Sequence, residues 1–161
     1  MFAKTFRKGV HPPGNKERTA ALPIAVLPAP KKVVLPLSQH IGAPAQPLVA
    51  VGEEVTAGQK IAEAQGMVSA ALHASISGKV TAIEEWPHPA GKQLPAIVIE
   101  NNGQEGFSPV PGVKPGRPLA EITADEIKEL MREGGLVGLG GAAFPTHVKY
   151  HPPAGKKIEY I

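Results

Sequence analysis

Proline and glycine interrupt this chain so often that a long helix does not fit into most of it. The 161 residues include 18 prolines and 18 glycines, and both residue types end or weaken regular elements. Short runs rich in β-branched residues lie between them, each followed by a turn residue. Short strands at this spacing predict a small barrel or sandwich, mostly β with some α. The expected strands are 32–37, 47–49, 54–55, 59–63, 78–83 and 96–100.

The composition excludes several kinds of chemistry. Hydrophobic residues make up 42% of the chain and charged residues 19%, so a packed core is expected. The chain has no cysteine, which excludes disulfides, thiolate metal sites and iron–sulfur ligation within these residues. No general acid, base or nucleophile is assigned, and no metal site is expected. The six histidines are each predicted to be single surface or loop residues: His11, His40, His73, His88, His147 and His151.

Residues 1–30 are predicted to form an extended, basic, proline-rich arm. Residues 1–32 contain seven lysines and arginines but only one acidic residue, Glu17. Such a segment has the charge to dock on an acidic protein, on anionic lipid or on nucleic acid, but a solvated arm across the outside of the domain is the preferred interpretation. Aromatic residues amount to only 4%, which argues against nucleic acid. The apolar run 20–30 is too short and too rich in proline to span a bilayer, so we expect a soluble, cytoplasmic chain.

Two segments, 51–61 and 77–83, resemble the strands and turns of biotinyl and lipoyl carrier domains. Gly52, Gly58 and Gly78 are expected to occupy tight turns. The resemblance implies that residues 31–110 form a barrel-sandwich hybrid. Carriers attach their cofactor to a lysine at a hairpin tip, whereas residues 63–68 contain a methionine and no lysine there. We therefore expect a scaffold rather than a carrier.

A proline- and glycine-rich linker at 105–120 places a domain boundary near residue 110. The following unit, 111–161, begins with a helix. Thr123 and Glu126 have the spacing of a capping box. An apolar face follows at residues 127, 130 and 131, and Gly134–Gly135 is expected to end the helix.

Five glycines lie within residues 134–141. Such a cluster lets backbone N–H groups turn toward an anion, with the N-terminus of a following helix adding its dipole. Pro145 suits the first turn of that helix. Lys149 would then reach a phosphate, and Phe144 would stack on a flat ring. A flexible connector is the alternative interpretation of the cluster.

Residues 138–149 resemble the G-x-G-G-A-G-F-P-T-x-x-K loop of the flavoprotein subunit of respiratory complex I. The resemblance implies that the loop cradles FMN and that the phenylalanine helps to hold NADH. Ala143 replaces a glycine of this pattern, which is expected to narrow the pocket. The implied cofactor-binding residues are Gly138, Gly140, Gly141, Ala142, Phe144 and Lys149.

The order of these parts resembles the RnfC subunits of Rnf electron-transport complexes, as do residues 5–16, 36–45 and 73–78. The resemblance implies electron transfer between NAD(H) and ferredoxin, through FMN and iron–sulfur clusters. It also implies peripheral association with other subunits of a membrane-bound complex that moves Na⁺ or H⁺.

Family members are expected to be longer than this chain. Residues 156–161 would begin a strand of an α/β flavin/NADH domain, and the resemblance implies two [4Fe–4S] clusters beyond it. We expect these 161 residues alone to be an inactive scaffold. The alternatives are a docking domain for ferredoxin or neighbouring subunits, and a biotin- or lipoyl-type carrier module.

Overall fold

The computed structural model describes residues 12–109, 117–153 and 155. The strand expected at 156–161, part of the linker and residues 5–11 of the first family motif lie outside the described residues. The strands are β1 (Lys32–Pro36), β2 (Gln46–Pro47), β3 (Glu54–Val55), β4 (Lys60–Glu63), β5 (Leu72–His73), β6 (Gly78–His88) and β7 (Lys92–Asn101); the helices are α1 (Ala124–Glu133) and α2 (Thr146–Lys149), with 3-10 turns at Lys16–Arg18 and Leu119–Glu121.

The strands form two antiparallel sheets. One has the order β1-β7-β6-β3 and the other the order β2-β4-β5. The long hairpin β6–β7 pairs Gly78 with Asn101 at one end and His88 with Lys92 at the other. Because β7 pairs with both β1 and β6, it is an inner strand of the larger sheet. This mostly β architecture is consistent with a barrel-sandwich hybrid.

Side chains from both sheets meet in one core. Ile61 of β4, Val80 of β6 and Ile97 and Ile99 of β7 are completely covered. Residues 96–99 are all buried, so β7 lacks the alternation of a strand with one face in water. Each fully buried isoleucine contributes roughly 2–3 kcal/mol relative to an exposed one. The barrel therefore has a continuous hydrophobic core of its own.

One of the three glycines expected in turns has a different role. Gly52 and Gly58 have φ angles of 99° and 82°, which confirms the turn prediction for these two. The prediction was wrong for Gly78, which begins β6 and pairs with Val55. Glycine is required there because a Cβ would collide with the carbonyl group of Glu100.

The histidines are less uniform than the sequence suggested. His73 and His88 lie in β5 and β6, and His147 lies in α2. All three are half-buried, which corrects their prediction as surface or loop residues. His40 is in a loop, but its side chain is only 8% exposed. Its Nε2 accepts a hydrogen bond from the amide of Ala70 at 3.1 Å, and its Nδ1 lies 3.1 Å from the carbonyl oxygen of Ile41. A buried imidazole needs partners for both nitrogens, and these two bonds supply them.

The described part of the arm does not pack on the barrel. All residues from 12 to 32 are exposed, including Ile24 and Val26. Where the arm leads into β1, the side-chain amide of Asn101 donates a hydrogen bond to the carbonyl of Pro30. Neither α1 nor α2, nor any other helix in the described ranges, has the length and apolar character needed to cross a bilayer.

The predicted helix is present with its predicted ends. Thr123 and Glu126 form the capping box, each side chain bonding the other's backbone. At the other end, the amides of Gly135 and Leu136 donate to the carbonyls of Arg132 and Met131. Gly135 has φ 64°, so this is a Schellman ending that satisfies the last carbonyls of the helix. No side chain of α1 is fully buried.

Candidate functional site

The glycine-rich segment after α1 folds into a closed loop. Val137 and Pro145 form an antiparallel bridge at its base. On either side of the bridge, the amide of Gly138 donates to the carbonyl of Phe144 at 3.0 Å and the amide of Thr146 donates to the carbonyl of Leu136 at 2.8 Å. Residues 138–144 are thus held at both ends while their middle projects outward.

The N–H groups of the projecting part make few bonds within the described residues. Residues 141–143 form a turn, but no N–H group of residues 139–144 donates a hydrogen bond of regular geometry to another described residue. A Cβ added at Gly140 or Gly141 would meet no atom within 4 Å, so this stretch of backbone is open on the outside. Consecutive unpaired N–H groups around a bend can bind the oxygens of an anion.

Lys149 brings a positive charge to the same loop. It is the last residue of α2, and its Nζ lies against Gly138, where a Cβ would collide with it. Glycine at position 138 therefore makes room for the lysine amine. The side chain of Lys149 forms no ion pair with any described residue.

Pro145 lies outside α2, which corrects the prediction that it occupies the first turn of the helix. Its ψ angle of 128° is extended, because its backbone belongs to the bridge with Val137. The helix itself spans only Thr146–Lys149. The proline ring is nevertheless almost completely buried and joins the loop to the helix.

Ala143 occupies a position that favours glycine. Its φ angle is 50°, which is the left-handed region where a Cβ costs free energy. The glycine pattern of the resembling loops therefore has a backbone reason at this position, in addition to any effect of the methyl group on the pocket.

Two hydrogen bonds hold the loop and α2 on the barrel. The amide of Ile41 donates to the carbonyl of Ala142 at 3.0 Å. His147 Nε2 donates to the carbonyl of Met67 at 3.1 Å. Both bonds use a backbone carbonyl as the acceptor, so they depend on the position of the chain rather than on the identity of the accepting residue.

Two further contacts hold the end of α1. Lys60 Nζ pairs with a carboxylate oxygen of Glu133 at 2.6 Å. Gly135 lies so close to the carbonyl of Ala71 that no side chain fits between them. The helix end and the glycine loop that follows it are therefore both attached to the barrel.

A histidine beside this ion pair has a shifted pKa. Partial burial, followed by the positive charge of Lys60, lowers the pKa of His73 below its ordinary value of 6.5, whereas Glu133 acts in the opposite direction. Burial and the charge of Lys60 both penalise the imidazolium form. His73 is therefore expected to be neutral near pH 7 in the folded chain.

The hairpin that carries the modified lysine in carrier domains has another use here. Its turn runs between β4 and β5, with Gly66 in the left-handed region and Met67 74% exposed. The chain contains no lysine between Lys60 and Lys79, so the tip offers no amine for attachment. The carbonyl of Met67 is instead bonded by His147. The hairpin tip supports the helical segment.

The predicted site residues lie on one loop and the helix that follows it. At the base of the loop, Gly138 meets both Phe144 and Lys149, while Gly140 and Gly141 are open at the tip. No group of three metal-ligating side chains occurs within the described residues.

One residue that bonds the loop was not among the predicted site residues. Ile41 contacts the loop through the carbonyl of Ala142. The only sequence signal for Ile41 was the match of residues 36–45 to a family motif, which gave no reason to connect it with residue 142.

The described chain therefore combines a fold of the barrel-sandwich hybrid class, with no lysine at the tip of its β4–β5 hairpin, and a glycine-rich loop after α1. The family described as the RnfC barrel sandwich hybrid domain matches residues 4–104. That range covers more than half of the chain. The chain belongs to the RnfC family, as the motifs predicted.

Curated relatives agree with this assignment. The chain is 45% identical to the C subunit of the Na⁺-translocating ferredoxin:NAD⁺ oxidoreductase complex of Acetobacterium woodii, over 98% of this chain and 35% of the relative. It is 47% identical to the C subunit of the proton-translocating ferredoxin:NAD⁺ oxidoreductase complex of Clostridium ljungdahlii, over 97% of this chain and 34% of the relative. It is 46% identical to the C subunit of the ion-translocating oxidoreductase complex of Pseudomonas aeruginosa, over 97% of this chain and 20% of the relative. The chain thus spans about a third or less of these relatives.

Proposed function

We propose that this chain is the N-terminal part of an RnfC protein that passes electrons between NAD(H) and ferredoxin in an ion-translocating Rnf complex. Within it, the barrel is the scaffold and residues 138–149 form one side of an FMN and NADH site. The names of the similar proteins support the oxidoreductase complex. The start of an α/β flavin domain is supported by the order of α1, glycine loop and α2.

The observation that carries the proposal is a set of exposed loop amides beside a lysine. Within the described residues, the N–H groups of residues 139–144 donate no hydrogen bond of regular geometry, and Lys149 Nζ lies at the base of the same loop. A phosphate monoester carries nearly two negative charges and several acceptor oxygens. Unpaired amides and one amine satisfy such a group without any further side chain.

The rest of the ligand needs an aromatic partner and an open face. Phe144 lies next to the free amides and provides a ring for stacking on the nicotinamide cofactor. FMN, when bound, supplies the hydride and single-electron chemistry, and the protein orients it. Two [4Fe–4S] clusters would be held by the longer protein, since residues 1–161 contain no cysteine.

The same proposal includes the partners of the protein. Neighbouring subunits of the complex and ferredoxin are the expected contacts, at the membrane surface rather than within the bilayer. The exposed arm favours a docking role in addition to the redox role, because residues 12–32 combine basic side chains with uncovered apolar ones. Docking and electron transfer are compatible functions of one protein.

The decisive variant is Lys149→Gln in the full-length protein, tested with FMN and with riboflavin. Loss of a charged hydrogen bond to phosphate is worth about 1.5–3 kcal/mol, so FMN should bind about 10- to 100-fold more weakly. Riboflavin has no phosphate, and its affinity should not change. Isothermal titration or flavin fluorescence provides both values.

Lys79→Gln is the matched control, since Lys79 is exposed on β6 and far along the chain from the loop. It should leave the affinity for FMN unchanged. An unchanged affinity in Lys149→Gln, or an equal loss for FMN and riboflavin, would contradict the phosphate role. The 161-residue chain alone should not retain FMN, which flavin absorbance after purification would check.

A further inference from the structure

The segment from Ser38 to Ala43 joins the barrel to the glycine loop. On the barrel side, the amide of Ala43 donates to the carbonyl of Val68 at 3.1 Å, and its carbonyl accepts from the hydroxyl of Ser69 at 2.9 Å. On the other side, the amide of Ile41 donates to the carbonyl of Ala142 at 3.0 Å. One short stretch is therefore bonded to both regions.

His40 fixes the conformation of this segment. Because Nε2 accepts the N–H of Ala70, the proton of the neutral ring must lie on Nδ1, from which it reaches the carbonyl of Ile41. The side chain thus bonds to the residue whose amide binds the glycine loop. The ring lies in the interior, where an unmade hydrogen bond would be costly.

Gly42 allows the segment to come this close to the barrel. Its φ angle is 97°, and a Cβ would collide with the carbonyl and side chain of Val68. Both the backbone conformation and the space exclude other residues. The end of the long hairpin adds a further bond, because His88 Nε2 donates to the carbonyl of Ser38 at 2.9 Å.

The joined regions border an open pocket of about 700 Å³. Its lining is mainly apolar, and Ser38, Gln39, His40 and His88 contribute the polar groups. An apolar wall with a few polar groups suits a flat heteroaromatic ring. On the barrel side, the lining includes Leu35, Ser38, Gln39 and Ile41. On the loop side, it includes Gly141 and Ala142.

We propose that the barrel supplies one wall of the flavin site, formed by Ser38–Ile41, and that His40 is the positioning residue that holds the glycine loop against it. This inference rests on the proposed function, because it assigns the ring of the flavin to the pocket beside the loop. It gives the barrel a direct part in the cofactor site.

The positioning role is tested first without any cofactor. In the full-length, FMN-free protein, His40→Ala should speed amide hydrogen exchange at Ile41 and throughout residues 138–145. His40→Gln keeps an acceptor for the Ala70 amide and should restore part of the protection.

Val55→Ala is the matched control for the exchange measurement. It removes buried apolar volume from β3, which pairs with the Gly78 end of β6 rather than the His88 end. It should destabilise the barrel without a selective change at residues 138–145.

The proposed wall is tested by filling the pocket with a larger side chain. Gln39→Trp places a large ring in the pocket from an exposed position that should tolerate it. We expect FMN and riboflavin both to bind about tenfold more weakly, since the ring rather than the phosphate is displaced. Gln104→Trp, at an exposed site after β7, should have no effect. His40→Ala should weaken both flavins by a similar factor, and His40→Gln by less.

The outcomes separate this inference from the function on which it rests. If Lys149→Gln weakens FMN while Gln39→Trp and His40→Ala leave both flavins unaffected, the barrel wall is wrong and the proposed function stands. If exchange at residues 138–145 is unchanged in His40→Ala, the positioning role is wrong, whatever the flavin does. If the full-length wild-type protein binds no FMN, both proposals fail.

Discussion

Four successive side chains of β7 are buried in the barrel, whereas no side chain of α1 or α2 is fully buried. The barrel has its own core of completely covered isoleucines. The helical segment is held mainly by backbone bonds, one ion pair and glycine contacts. The barrel is therefore stabilised by itself, while the glycine loop depends on the barrel for its position.

The unequal burial of the two regions agrees with the cofactor role proposed for the loop. That role needs open amides, and an open loop cannot bury much apolar surface. The chain resolves this conflict by attaching the loop to a rigid neighbour through Ile41 and Ala142. The hairpin tip that carries a cofactor in carrier domains supports the helices instead, through Met67 and His147.

The largest expected effect is that of Ile97→Ala in the barrel. Ile97 is completely buried in β7, so its truncation should lower the free energy of unfolding by about 3 kcal/mol. Leu130→Ala, in the half-buried face of α1, should cost about 1 kcal/mol. Urea denaturation followed by circular dichroism measures both. Equal losses would mean that the two regions share one cooperative core, contrary to the difference in their burial.

Gly135→Ala should have the next largest effect, and it acts at the join between the regions. The left-handed conformation costs about 1–3 kcal/mol for a residue with a Cβ, and the new methyl group would meet the carbonyl of Ala71. Faster hydrogen exchange at Leu136 should report the loosened helix end, because the Leu136 amide is bonded to Met131.

Gly140→Ala serves as the matched control for Gly135→Ala. A Cβ at Gly140 meets no atom within 4 Å, and its φ angle is not among the positive ones. Its stability and exchange should match those of the wild type. A similar loss in both variants would show that general flexibility, rather than the contact with Ala71, is responsible.

The smallest expected effect depends on pH. The pKa of His73 is lowered in the folded state, so the unfolded chain binds more protons below pH 6.5. The free energy of unfolding should therefore fall as the pH decreases below about 6.5, and level off below the folded pKa. Denaturation of the wild type and of His73→Gln at pH 8 and pH 5 measures this loss, which should be smaller in the variant because glutamine does not titrate.

The titration of Glu126 in the cap of α1 lies at lower pH than that measurement. The backbone of Thr123 and then the Arg117 side chain lower the pKa of Glu126 from 4.5 to about 2. Its contribution is fully present above pH 4.5 and is lost only as the pH falls toward 2. If His73→Gln retains the full loss of stability between pH 8 and pH 5, the responsible group lies elsewhere than at the join between the regions.

Local patterns predicted those elements that local interactions form. The capping box of Thr123 and Glu126 and the glycine ending of α1 involve residues within six positions of each other, and the structure confirms both. The turns at Gly52 and Gly58 were likewise predictable. The carrier-like strand pattern indicated the barrel before any contact was known.

The features that were mispredicted or missed share a cause, since each involves a partner outside its local segment, and for His40 and Gly78 that partner is distant in sequence. The burial of His40 depends on Ala70. Gly78 was expected in a turn, yet the carbonyl of Glu100 excludes a side chain there. Pro145 was expected inside α2, yet its backbone is held in a bridge at the base of the loop. A sequence pattern does not show which distant carbonyl will lie beside a given residue.

Residue types and short spacings were sufficient to predict the family, most of the short strands, the capped helix and the lack of an attachment lysine at the hairpin tip. Packing alone established that Ile41 meets Ala142, that Lys149 lies against Gly138 and that the barrel borders the glycine loop. Such contacts arise when two sheets and a helical segment come together, because folding then joins groups that are separated by up to a hundred residues along the chain.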